Sequence, residues 1–125
     1  MVERPKAGTG APVPRDRVVV TDAALATIIG LAAHEVPGVV GMAPASIREG
    51  LNRMLGASRA DEGVEVDRDD DESRASIELH VVVAYGVNIP VVASSVRERV
   101  RYAAQAFAGV KVTEVKVHIA GVSRG

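Results

Sequence analysis

The clearest signal along the chain is a change of hydrophobic period. Leu25, Ile28, Ile29, Ala32 and Val36 recur at spacings of three and four, which predicts a helix with one apolar face. Thr21 stands where an N-cap belongs and Asp22 falls in the first turn, where a carboxylate meets the positive end of the helix dipole. Pro37-Gly38 ends the pattern. Short apolar runs on either side, Val18–Val20 and Val39–Met42, predict strands. Next, Ser46 and Glu49 form a capping-box pair ahead of a stripe of Ile47, Leu51, Met54 and Leu55, which predicts a short amphipathic helix closed by Gly56. Residues 57–74 are polar and acidic, with a minimal strand at Val64–Val66.

The period then drops to two. Ile77, Leu79, Val81, Val83 and Tyr85 alternate with Glu78, His80, Val82 and Ala84, and both faces turn apolar near Val82, as a central strand requires. From Pro90 to Ala108 the helical period returns, with Val92, Val96, Val100, Ala103, Ala104 and Phe107 on one stripe and Gly109 as the stop. The last strand, Val110–Val122, sets Val115, Val117 and Ile119 against Glu114, Lys116 and His118. Val110 and Val112 have the opposite parity, so a bulge or turn is expected near Thr113-Glu114. The order is β-α-β-(α)-β-β-α-β. Two longer helices, each with one apolar stripe, cover one face of a small mixed sheet in a two-layer α+β domain. That domain spans residues 18–122, with a flexible tail over 1–17, an acidic loop insert over 57–74 and a short tail over 123–125.

Composition narrows the functions on offer. A net charge of −1 gives no bulk attraction to nucleic acid or anionic lipid. With no cysteine there are no disulfides, thiolate metal sites or cysteine nucleophiles. The N-terminal stretch lacks the apolar core of a signal peptide, and no apolar run approaches the roughly 18 residues of a membrane span. The expectation is a cytoplasmic protein. Stacking platforms for bases are scarce, the aromatics being Tyr85, Tyr102 and Phe107.

Individual motifs add little chemistry. His34 sits beside Glu35 near a helix end, which a cation suits. His80 and His118 lie on strands among the polar positions and could approach each other if those strands are neighbours, but no third ligand stands at a recognisable spacing. Structural or exposed histidines are expected, with no metal and no cofactor. Asp67, Asp69, Asp71 and Glu78 occupy places one, three, five and twelve of a calcium loop, but Glu72 replaces the needed glycine, so a solvated hairpin turn is the better reading. Gly38-Val39-Val40-Gly41 fits the G-x-x-G of KH domains, whose middle residues are usually polar. Together with the arginines of 97–101 it supports only an alternative function, a KH-like nucleic-acid-binding module. No nucleophile elbow, Walker loop, zinc-protease motif or paired-carboxylate site occurs, and the expectation is that the protein is not an enzyme.

"AAHEVPGVVGM", "VVVAYGVNIPVVASSVRERV" and "AGVKVTEVKVHIAGV", in this order and spacing, resemble the alkaline shock protein family of the bacterial envelope stress response. The positions that carry the likeness are Gly38, Tyr85, Gly86, Pro90, Gly109 and Gly121. The resemblance implies a small, cytoplasmic, non-enzymatic scaffold that acts through protein–protein contacts. It also implies self-assembly as a homo-oligomer, and association with the membrane through a small membrane-anchored partner rather than by insertion. The surface is expected on the sheet face or edge that the helices leave open, with Arg97, Arg101, Lys116 and His118 as candidate contact residues.

Overall fold

A computed structural model describes residues 18–43, 63–70 and 73–124. Its elements are α1 (Asp22–His34), β1 (Val39–Met42), β2 (Val64–Arg68), β3 (Arg74–Ala84), α2 (Ile89–Ala108) and β4 (Lys111–Ser123). The N-terminal tail, the helix expected over Ile47–Leu55 and parts of the acidic insert lie outside the described residues.

Both helices are fixed locally by their ends. Thr21 accepts a hydrogen bond from the Ala24 N–H at 3.1 Å, and Asn88 accepts one from Val91 at 3.2 Å, each satisfying a donor that the first turn leaves open. Pro90 stands in the first turn of α2, where its missing N–H costs nothing. The face that α1 buries is turned slightly from the expected one. Ala26, Gly30 and Ala33 join Leu25, Ile29 and Ala32 inside, while Ile28 is half-buried at the margin.

Two expectations are corrected. Val18–Val20 is not a strand: Val18 and Val19 are exposed, and the Val20 carbonyl accepts from the Arg68 guanidinium at 2.5 Å instead of from a neighbouring strand. Arg68 also pairs with Asp22 at 2.9 Å, so this largely buried arginine ties the end of β2 to the start of α1. Phe107 is not in the core stripe. It is 67% exposed and meets Tyr102 edge-on at 6.2 Å, because the chain reverses at Gly109 and the buried residue at that end of α2 is Val110.

The sheet is mixed, with β3 at its centre. β4 runs parallel to β3 along its whole length, from Arg74↔Lys111 to Ala84↔Ser123. β1 and β2 are both antiparallel to β3 and follow one another along its other edge: Met42 pairs with Val81, and Val64 with Leu79. They meet at His80, whose N–H donates to the Gly63 carbonyl at 2.9 Å and whose carbonyl accepts from Ala43 at 3.0 Å. The chain therefore leaves the sheet at Ala43 and re-enters beside the same residue at Gly63. Gly63 has φ +82°, and a Cβ there would collide with the Ala43 carbonyl oxygen and stand 3.0 Å from that of His80. β2 is longer than the Val64–Val66 expected from its sequence, and it continues through a turn into β3 as a hairpin, with Asp69 N–H donating to the Arg74 carbonyl. The parity change in β4 is a bulge: the register skips Thr113 between Ala75↔Val112 and Ser76↔Glu114.

The two helices lie side by side on one face, α1 against β1 and β2, α2 against β4. Between them and the sheet sit the fully buried Leu25, Ile29, Leu79, Val81, Val83, Val96 and Val100. All three aromatics are outside this core: Tyr85, Tyr102 and Phe107 are each exposed. Tyr85 falls just after β3 rather than within it.

Candidate functional site on the open sheet face

Alternation along β3 sends Ala75, Ile77, Leu79, Val81 and Val83 under the helices, so Ser76, Glu78, His80, Val82 and Ala84 point the other way. Register then decides which groups meet on that outer face. Glu78 stands opposite Lys116, His80 opposite His118 and Val82 opposite Gly121, while Glu65 of β2 stands opposite Glu78 from the other edge. Among the described residues, no helix covers this face.

The parallel pairing brings the two imidazoles into a stack, with ring centroids 4.5 Å apart and planes 7° from parallel. His118 Nε2 reaches diagonally to Glu78 Oε2 at 2.5 Å. That hydrogen bond is the main reason the Glu78 carboxyl is held below the ordinary carboxylate value. Desolvation opposes it, and electrostatic attraction from the neighbouring His118, Lys116 and His80 adds to it. Beside the cluster lies a groove of about 330 Å³ lined by Glu65, Asp67, Glu78, Glu114 and Lys116 among others, so carboxylates outnumber the single lysine.

Sequence spacing had offered the two histidines but no third group. The fold supplies Glu78, two residues before His80 and therefore on the same face of the same strand. The signal was present as Glu78-x-His80, but its meaning depended on β4 lying alongside.

The candidate contact residues do not form one surface. Lys116 and His118 are on the open face, whereas Arg97 and Arg101 belong to α2 in the helix layer. Arg101 donates to the Val112 carbonyl at 3.0 Å and so helps fix the start of β4. A second groove, about 420 Å³, lies on the helix side between the end of α1 and α2, lined by Glu35, Pro37, Ser95, Glu98, Arg99 and Tyr102. Arg99 spans it, bonding Glu35 through its Nε at 2.9 Å and lying 5.8 Å from the Tyr102 ring centre. His34 is exposed in the last turn of α1.

The remaining motif positions sit at junctions between elements or within β1 and β4. Gly38 links α1 to β1 and its carbonyl accepts from Ala84 at 2.8 Å. Val39 and Val40 of the G-x-x-G are strand residues of β1, Val39 buried and Val40 bulged outward. The nucleotide-clamping loop of a KH domain is thus a paired strand here. Gly86 has φ +94° and nothing within 4 Å of the position a Cβ would take, so it serves the backbone alone. Gly109 closes α2, and Gly121 sits at the second register shift of β4, against Val82. The Tyr85 ring is open to solvent, with the Arg124 guanidinium 5.4 Å from its centre.

These motif positions run from α1 to β4, and so does the match to known proteins. A model of the alkaline shock protein family, described by a cell envelope-related function, matches residues 12–124. The chain belongs to this family. Similar proteins include the uncharacterized YqhY of Bacillus subtilis, 33% identical over 106 residues that cover 85% of this chain and 76% of YqhY. The uncharacterized YloU of the same organism is 29% identical over 107 residues, covering 85% and 88%. The uncharacterized Spy1614 of Streptococcus pyogenes serotype M6 is 30% identical over 106 residues, covering 84% and 86%. No solved structure matches. The resemblance carried by the three quoted stretches is therefore to the family that this match shows. Among the described residues of this alkaline-shock-family chain, no helix is long and apolar enough to cross a membrane.

Proposed function

We propose that the protein is a non-enzymatic interaction protein of the cell-envelope stress response. It acts at the cytoplasmic side of the membrane by binding other proteins, a small membrane-anchored one among them, and further copies of itself. The observation that carries this reading is the one-sided sheet. Both helices pack on the same face, and β4 uses one edge against β3 over its full length, with no partner strand on its other edge among the described residues. An open sheet face with a long strand edge suits protein docking and strand addition. The envelope-related family supports the setting.

Two measurements test the reading. Light scattering across a wide concentration range should give a mass above the monomer, and a strict monomer at high concentration would count against self-association. Affinity purification from the native cell, with Lys116→Glu as the surface variant, should recover a membrane protein that the variant loses. Recovery of none by the wild-type protein would sink the scaffold role.

A further inference from the structure

On the open face, three side chains with metal-binding chemistry converge: the available ligand atoms of Glu78, His80 and His118 all lie within 4.8 Å of one another. We propose that these three residues form a binding site for Zn²⁺, with a coordination position left open to solvent.

The donor set selects the ion. Two imidazole nitrogens and one carboxylate oxygen match zinc with three protein ligands, whereas calcium and magnesium favour oxygen ligands throughout. The backbone holds the groups in place. His80 and His118 are direct register partners in the parallel β3–β4 pair, and Glu78 lies two residues earlier on β3, so all three share one face of paired strands. Sites carried on paired strands keep their geometry better than sites on loops.

Distances agree with a small closure. Ligand atoms about 2.0–2.1 Å from a tetrahedral zinc stand roughly 3.3 Å apart. The spacings here reach at most 4.8 Å, up to about 1.5 Å beyond that, while the 2.5 Å His118–Glu78 pair would open to admit the ion, and ring and carboxylate rotations can supply both adjustments. The side chains are free enough to make them: His118 is 42% exposed and Glu78 37%. The adjoining groove adds a favourable field, since Glu65, Asp67 and Glu114 outweigh Lys116 beside Glu78.

A plain hydrogen bond between His118 and Glu78 would account for those two residues but not for the third. Among the described residues the His80 imidazole makes no hydrogen bond, and it lies stacked against a ring that does. A shared ion gives all three groups a partner.

The test is a calorimetric titration of the full chain, first stripped with chelator, with zinc chloride, and a parallel titration with Co²⁺ read by its visible absorption. One zinc per chain should bind, and the melting temperature should rise. His80→Gln and His118→Gln should each weaken binding by at least about tenfold, a loss of the size that altered ligand shells produce. Glu78→Gln should weaken it and change the cobalt spectrum, while His34→Gln, on the far side of α1, should leave it unchanged. Circular dichroism in chelator shows whether each variant is folded. If His118→Gln is not, His80→Gln and Glu78→Gln decide, because wild-type affinity in both overturns the site. Absence of saturable binding at millimolar zinc overturns it too, as does binding that survives both histidine substitutions.

Discussion

At the scale of single residues, two glycines separate backbone strain from crowding. Gly86 adopts a positive φ in open space, so Gly86→Ala should cost only the left-handed penalty, about 1–2 kcal/mol. Gly63 carries a similar φ, but its missing side chain makes room for the Ala43 carbonyl. Gly63→Ala should therefore cost more, on the order of 3 kcal/mol, and chemical denaturation of the two variants measures the difference. Equal losses would mean that the close approach to Ala43 relaxes freely. Gly86 was legible in the sequence, since it interrupts an apolar run ahead of a proline. Gly63 was not, because the group that crowds it comes from the end of β1, far along the chain.

Glu78 gives a residue-scale prediction in pH. Its carboxyl titrates below the usual range in the fold, so the charged form is the stabilised one. That contribution is complete above the pKa of an unfolded glutamate and is lost as pH falls through the lower, folded value. Melting curves in chelator should show wild type losing stability on the acid limb, and Glu78→Gln losing less over the same interval. Both partners are more than a third exposed, so the effect will be small in water.

At the scale of elements, the helices and strands are built by different rules, and they were legible to different degrees. Thr21 and Pro90 announce helix starts because the first turn is settled within a few residues, and the structure uses both as expected and adds Asn88 as the cap of α2. Asn88→Ala should cost about 1 kcal/mol, measured by thermal unfolding. Parity in β4 likewise located the bulge at Thr113, since side-chain period survives without knowledge of the partner. Leu79, fully buried in the centre of β3, should cost roughly 2–5 kcal/mol as Leu79→Ala. What local pattern missed was decided by tertiary neighbours. Val18–Val20 has strand composition, yet the nearby partner is a guanidinium rather than a strand edge. Phe107 has core spacing, yet the reversal at Gly109 brings a valine inside and leaves the ring to Tyr102. The outer-face cluster was half legible: two histidines on strands could be read, but their meeting and the part of Glu78 needed the register of β3 with β4.

At the scale of the whole molecule, β3 organises everything. It receives a strand on each edge, carries the core on one face and presents the histidines on the other. Its neighbours β1 and β2 share one edge because both end at His80, and the chain between them departs and returns at a single point. Closing a loop whose ends already touch depends only weakly on its length. Replacing residues 44–62 with a short glycine–serine linker should then leave the sheet and its cooperative unfolding intact, as judged by circular dichroism and thermal melting. Loss of the fold would show that this segment contributes to the core. In a linker variant that keeps its fold, the junction between Ala43 and Gly63 would be a port where a reporter or affinity module is grafted while β4 and the outer face keep their shape.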